Sequence, residues 1–129
     1  GGYQRVALDL MTALSTGEPA RMILDVGNAD SGSAAIASLA DEAVVEVPCD
    51  VDGDGIHPCR VAPLTGAPLG LVQSVKACED LVIEAVRRRD ESLAWRALAL
   101  HPLVDSVRAA RRVLDSYIAR NPLVAAVFD

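Results

Sequence analysis

Few residues in this chain combine the types and spacings that chemistry needs. The sharpest pattern is Asp50-x-Asp52-x-Asp54-Gly55. It sets hard carboxylate oxygens at alternate positions before a glycine, as the first half of an EF-hand calcium loop does. The pattern then fails: Val61 stands at the twelfth position, where a bidentate Glu is required, and the flanks read as strands rather than helices. A solvated hairpin turn is the reading that remains. Cys49, His57 and Cys59 fall near one another across that hairpin, and Cys78 or His101 would complete a zinc set. No Cys-x-x-Cys pair is present and the spacing matches no usual zinc site. Buried cysteines behaving as small hydrophobes account for them. Cys–His nucleophilic catalysis needs a thiolate, a placed base and an orienting group, and no local pattern singles out one such pair.

Carboxylates are plentiful: Asp41-Glu42, Glu46, Glu79-Asp80 and Glu84. Acid–base hydrolysis needs two of them with pKa values driven apart in a cleft, whereas most of these fall on polar helix faces or in turns. Arg87-Arg88-Arg89 closes a long helical pattern, where cations complement the helix dipole. The stretch from Gly27 to Gly32 is rich in Gly, Asn, Asp and Ser; its backbone suits close approach to a ligand, but it is no G-x-G-x-x-G fingerprint. The chain therefore holds no complete catalytic site of its own, and any chemistry it serves needs parts that lie elsewhere.

The elements that would position these residues follow from periodicity. Residues 5–15 put Val6, Leu10, Ala13 and Leu14 on one helical face, and Gly17 and Pro19 end that helix. Residues 22–26 read as a short strand, 27–32 as a loop, and 34–39 as either a helical turn or a loop. Residues 43–51 alternate, with Val45, Val47 and Cys49 on one side and Val44, Glu46 and Pro48 on the other. Pro48 removes a ladder donor, which predicts an edge strand. Asp52-Gly53-Asp54-Gly55 is a hairpin turn, with residues 56–61 as the return strand and Pro58 again at an edge. Residues 63–70 read as a linker. Three helices follow. The first spans 71–89, with Leu71, Val72, Val75, Cys78, Val82, Ala85 and Val86 inward. The second spans 91–100, capped by Asp90. The third spans 106–120, capped by Asp105, with Val107, Ala110, Val113, Leu114, Tyr117 and Ile118 inward. The fold class is α+β: a small antiparallel or mixed sheet packed with several helices.

Bulk composition narrows the function classes. A length of 129 residues suits one domain. The chain is 51% apolar but only 3% aromatic, with a net charge of −6. An acidic chain with almost no aromatics repels phosphate backbones and lacks stacking platforms, so no nucleic acid partner is expected. No apolar run nears the roughly 20 residues of a membrane span, so no membrane partner is expected either. Three cysteines suit a reducing, cytoplasmic setting. The apolar excess predicts a buried interface, hence a homo-oligomer. A chain that opens on Gly1-Gly2-Tyr3 and enters a helix at once is expected to be processed or cut from something longer.

An ordered set of stretches carries a resemblance. Gly1-Gly2-Tyr3 is followed by Ala7 and Leu10. Asn28 precedes Ala35-Ile36-Ala37-Ser38-Leu39 and Ala43-Val44-Val45-Glu46-Val47-Pro48-Cys49. Leu71-Val72-Gln73, Val75-Lys76, Glu79, Leu81 and Glu84-Ala85 come next, and Ala97-Leu98 with His101-Pro102-Leu103-Val104 complete the set. Together they resemble the C-terminal domain of family 4 glycoside hydrolases, especially the 6-phospho-β-glucosidases. That fold is in turn akin to the C-terminal domain of lactate dehydrogenase-like proteins.

The resemblance implies a glycosidase that uses NAD and a divalent metal, commonly manganese. The sugar is oxidised at C3, a tyrosine removes the acidified C2 proton, and the glycosidic oxygen leaves by elimination. Water adds, and the C3 ketone is reduced again. The NAD-binding Rossmann half, the metal-binding Cys and His and the catalytic Tyr lie upstream of the matched part. Tyr3 is therefore not the base, Cys49 is not the metal ligand, and the fragment is expected to be inactive alone. Asn28 matches the Asn that opens the family's loop before the strand and is the one substrate-binding candidate. The chain departs from the family at Gly32-Ser33-Ala34-Ala35, where members often carry Asn-x-Gly-like residues before the Ile. The substrate implied is a phosphorylated glycoside. The motifs leave open an α-glucosidase, α-galactosidase or glucuronidase, and residue pattern alone leaves open a standalone interaction domain.

Overall fold

The alternation at 44–51 becomes the buried stripe of a sheet. In a computed structural model, which describes residues 2–29 and 32–129, the chain divides into two compact units, Gly1–Leu64 and Thr65–Asp129. Gly1 of the opening motif, and Asp30 and Ser31 of the 27–32 loop, lie outside the described residues.

The first unit contains helix α1 (Gly2–Thr16) and strands β1 (Ala20–Gly27), β2 (Val44–Asp52) and β3 (Gly55–Pro58). The three strands form an antiparallel sheet in the order β1-β2-β3. Val45, Val47, Cys49 and Val51 point to one face and are buried there. Met22, Leu24 and Val26 of β1, Ala13 and Leu10 of α1, and Ala35, Ile36 and Leu39 of the β1–β2 loop pack with them. The opposite sheet face, with Ile23, Val44 and Glu46, is exposed. One covered face is what an antiparallel sheet of alternating residues supports. Each buried valine contributes roughly 1.5–3 kcal/mol. The exposed cross-strand pair Arg21–Asp50, at 3.7 Å, contributes at most about 1 kcal/mol. Burial therefore sets this register, not charge.

β2 is the central strand, so the edge position predicted from Pro48 is incorrect. The reason is local. Cys59 N–H donates to the Pro48 carbonyl at 2.8 Å, and proline has no N–H to return the bond. The β2–β3 ladder stops one pair earlier, at Cys49↔Pro58. The missing donor thus falls where β3 has ended, and β3, with Pro58, is the edge strand as expected. The return strand is also shorter than the predicted 56–61.

The second unit is helical: α2 (Gly66–Arg88), α3 (Glu91–Leu100), α4 (Val107–Arg120) and α5 (Pro122–Phe128). α2 begins five residues before the predicted start, because Pro68 lies in the first turn, where its missing N–H has no intrahelical partner to lose. Asp90 caps α3, accepting the Ser92 N–H at 2.8 Å. The α4 cap is Ser106, not Asp105: its hydroxyl accepts Ala109 N–H at 3.1 Å. The sequence periodicity predicts no helix after residue 120, but α5 follows there. Here Asn121 accepts the Leu123 N–H at 3.0 Å and Pro122 opens the helix. Cys78, Ala85, Ala97, Ala110 and Leu114 form the buried contacts. The predicted inward positions Val107 and Tyr117 are instead 56% and 58% exposed. Leu71, Val82 and Val86 of α2 are exposed as well.

Candidate functional site

Asn28 sits at the end of β1 with 0% of its surface exposed. Its backbone N–H donates to the Ala43 carbonyl at 2.8 Å, so residues 28 and 43 close the loop that joins β1 to β2. Its side chain turns into that loop. Nδ2 donates toward the carbonyls of Ile36 (3.1 Å), Leu39 (3.3 Å) and Ala40 (3.0 Å), and Oδ1 accepts the Ile36 N–H at 2.8 Å. Two N–H bonds shared among three carbonyls, with one N–H received, fix which side-chain atom is nitrogen. Ala35 N–H returns to the Asn28 carbonyl at 2.8 Å, and Val61 N–H reaches the Ala35 carbonyl at 3.0 Å. The segment predicted as a helical turn or a loop is therefore a closed, packed loop held from its centre. Among the described residues, one buried polar side-chain atom lacks a partner: Ser38 Oγ, on this same loop.

The other sequence candidates do not converge. Asp52 caps the hairpin, accepting Asp54 N–H at 2.9 Å and meeting His57 Nε2 at 3.2 Å. These contacts hold its carboxyl below the usual carboxylate value, the Asp54 N–H contributing most. Asp50 meets Arg21 at 3.7 Å and Cys59 Sγ at 3.5 Å. Cys49 lies on the opposite, core face of the same strand, so strand alternation separates the proposed zinc donors. Among the described residues no group of three or more His, Cys, Asp or Glu is placed to hold a metal ion. Burial pushes the Cys49 and Cys78 thiols up, opposite to what a nucleophile needs. His101 Nδ1 accepts the Leu103 N–H at 3.2 Å and so caps the turn after α3. Glu84 pairs with Arg88 and with Arg87 (3.8 Å) along α2, and Arg89, at φ 54°, closes that helix by donating to Ala85 and Val86. This run serves the helix end. The sheet is short and antiparallel, without the parallel strand–turn–helix that cradles a dinucleotide. Among the described residues, these donors and turns thus assemble neither a metal set nor a dinucleotide cradle.

The second unit carries two apolar grooves that the sequence reading did not single out. One, of about 450 Å³, lies between α2 and α3 and is lined by Val75, Cys78, Glu79, Ile83, Leu98 and His101 among others. The other, of about 330 Å³, lies beside α5 and is lined by Val82, Val86, Leu123 and Phe128 among others. The signal for the second was Asn121-Pro122, which starts a helix as well as ending one.

Residues 1–104 match the family described as Family 4 glycosyl hydrolase C-terminal domain. The maltose-6'-phosphate glucosidase of Bacillus subtilis (strain 168) is 32% identical over 114 residues, which cover 88% of this chain and 24% of that protein. A 6-phospho-beta-glucosidase of Thermotoga maritima is 33% identical over 119 residues, 92% of this chain and 28% of that protein. Among solved structures, a 6-phospho-alpha-glucosidase from gut microorganisms, in complex with NAD and glucose-6-phosphate, superposes with a TM-score of 0.86. It is 28% identical, over 96% of this chain and 27% of that one. The Thermotoga maritima 6-phospho-beta glucosidase with manganese, NAD+ and glucose-6-phosphate superposes with a TM-score of 0.81 at 30% identity, over 95% of this chain and 29% of that one. The chain thus spans about a quarter of the length of the relatives it matches. The family match runs through three of the helices and all of the sheet, so the chain belongs to the family 4 glycosyl hydrolase C-terminal domains.

Proposed function

We propose that residues 1–129 are the C-terminal domain of a cytoplasmic 6-phospho-glucosidase that depends on NAD and a divalent metal, manganese. In this reading the chain supplies the substrate-side wall, through the loop that Asn28 holds, and a subunit interface. The Rossmann half, the metal ligands and the base lie in the rest of the parent, and this chain alone is inactive. The observation that carries the reading is the ordered match along nine-tenths of the chain to relatives more than three times as long. Exposed Leu8 and Met11 on α1, with the grooves of the second unit, support burial against other protein and hence a homo-oligomer. No described helix is long and apolar enough to cross a membrane.

The substrate is a phosphorylated glycoside, β-linked in the first reading. The α-linked reading is favoured by the 6-phospho-alpha-glucosidase at a TM-score of 0.86. The test is to assay the parent and this chain separately with NAD, manganese and the 4-nitrophenyl 6-phospho-α- and β-glucosides. Turnover by the parent alone, on one anomer, is expected. Turnover by the isolated chain, or none by the parent on either anomer, would overturn the proposal. Light scattering on the parent is expected to give a multimer, and a strict monomer at high concentration would count against the interface.

A further inference from the structure

We infer that Asn28 is a positioning residue: its amide fixes the shape of the loop from 28 to 43, and the loop, not Asn28 itself, meets the substrate. The inference rests on the proposed glycosidase reading and deepens it. The geometry leaves the side chain no capacity for a ligand. Both N–H bonds of Nδ2 are directed at the carbonyls of Ile36, Leu39 and Ala40, and Oδ1 is occupied by the Ile36 N–H. The residue has 0% exposure, so contact with a sugar would require breaking all of these bonds. Those same bonds do something else. They draw the backbone of residues 36, 39 and 40 onto one point, while Ala35, Ile36 and Leu39 pack against the sheet. Asp41 and Glu42 are left outward, as are Ser33, Ala37 and Ala40.

A loop with joined ends and its own packing is a compact surface unit of the kind that often carries function. Within Gly32-Ser33-Ala34-Ala35, Gly32 and Ser33 are exposed, whereas Ala35 is buried in the core beneath the loop. Asn28 is suited to this task by size and by having donor and acceptor on one planar group. An aspartate keeps the acceptor for Ile36 and loses both donors.

The experiment is Asn28→Asp in the parent enzyme, with hydrogen exchange at the Leu39 and Ala43 amides, which donate to two of the carbonyls that lose Nδ2, NAD affinity, and separate kcat and KM for the 6-phospho-glucoside. Exchange at both amides is expected to accelerate while NAD affinity stays within about twofold. KM is expected to rise by about tenfold or more, with kcat changed less, since a displaced wall costs substrate positioning. A KM rise with both amides still protected would make Asn28 a direct ligand and overturn the inference. Loss of protection with kcat and KM unchanged would make the loop merely structural and overturn it too. If NAD binding is also lost, Asn28→Ser, with a smaller side chain and no charge, is measured in its place against the same criteria. An inactive wild-type parent would sink the glycosidase reading instead, and exchange at Leu39 and Ala43 would still report whether the amide holds the loop.

Discussion

Replacing Asn28 with alanine in this chain converts the loop's hydrogen bonds into a measurable free energy. Four backbone groups lose a bond: the Ile36 N–H and the carbonyls of Ile36, Leu39 and Ala40. Two of them keep another partner. The Ile36 carbonyl still receives Leu39 N–H at 3.1 Å, and the Ala40 carbonyl still receives Ala43 N–H at 3.1 Å. The Ile36 N–H and the Leu39 carbonyl are left without their amide partner. A buried group stripped of its partner costs about 1–3 kcal/mol, so these two, in part-buried bonds, give at most about 2–6 kcal/mol. That is a large share of the roughly 5–15 kcal/mol that holds a domain together. A water filling the vacated volume brings the loss toward the lower end. The assay is urea unfolding followed by circular dichroism, with hydrogen exchange at the Leu24 and Val47 amides. Fluorescence is the wrong probe, because the single tryptophan, Trp95, lies in α3 of the second unit. A loss below about 1 kcal/mol would refute the claim that the amide holds the loop.

Two further predictions follow from the turns. Asp54 N–H and the His57 ring hold the Asp52 carboxyl below its ordinary value, and the Ser92 side chain and N–H do the same for Asp90. A carboxyl lowered by folding contributes stability that is present above its unfolded pKa of about 3.9 and is lost as pH falls through the lower folded value. Urea midpoints should drop on acidification through that range, and the Asp52→Asn and Asp90→Asn pair should flatten the drop; an unchanged slope would refute both. At the end of α1, Gly17 has φ 74° and a Cβ on Gly53 would stand 3.2 Å from the Gly17 Cα. Gly17→Ala is expected to cost about 1–2 kcal/mol through the left-handed backbone. Gly53→Ala is expected to destabilise by pushing two backbone segments apart, and thermal midpoints equal to wild type would refute this contact.

The legible part of this fold was the part governed by period and by strong turns. The alternation from Val45 to Cys49, the Asp52–Gly55 hairpin and the Asp90 cap all appear where residue type placed them. Three of the misreadings turn on a proline treated as a prohibition rather than a position. Pro48 stands in the central strand because its missing donor falls one pair beyond the end of β3. Pro68 and Pro122 lie in the first turns of α2 and α5, where no hydrogen bond is lost. Tyr117 and Val107 were assigned inward because the period gives a face but not which part of that face finds a neighbour. Asn28 was singled out by resemblance, while its bonds to residues 36–40 are long-range relative to any local pattern and had no signature in the sequence.

Ser38 gives a test that separates folding from function on the same loop. Its hydroxyl is buried and has no partner among the described residues, a state that costs about 1–3 kcal/mol. Selection for stability alone would favour alanine there, since that substitution removes the orphan and little volume. Ser38→Ala is therefore expected to stabilise this chain by about 1 kcal/mol, read as a higher urea midpoint with an unchanged m value. A destabilisation of more than about 1 kcal/mol would refute the orphan reading, because it would mean that the hydroxyl is satisfied, for instance by an ordered water. If the substitution does stabilise, its effect on the parent's KM becomes informative. A more stable loop that binds the 6-phospho-glucoside less well is the pattern expected where a site keeps an unsatisfied group for its ligand. A more stable loop with unchanged KM would place Ser38 away from the substrate and leave the Asn28-held backbone as the feature to follow.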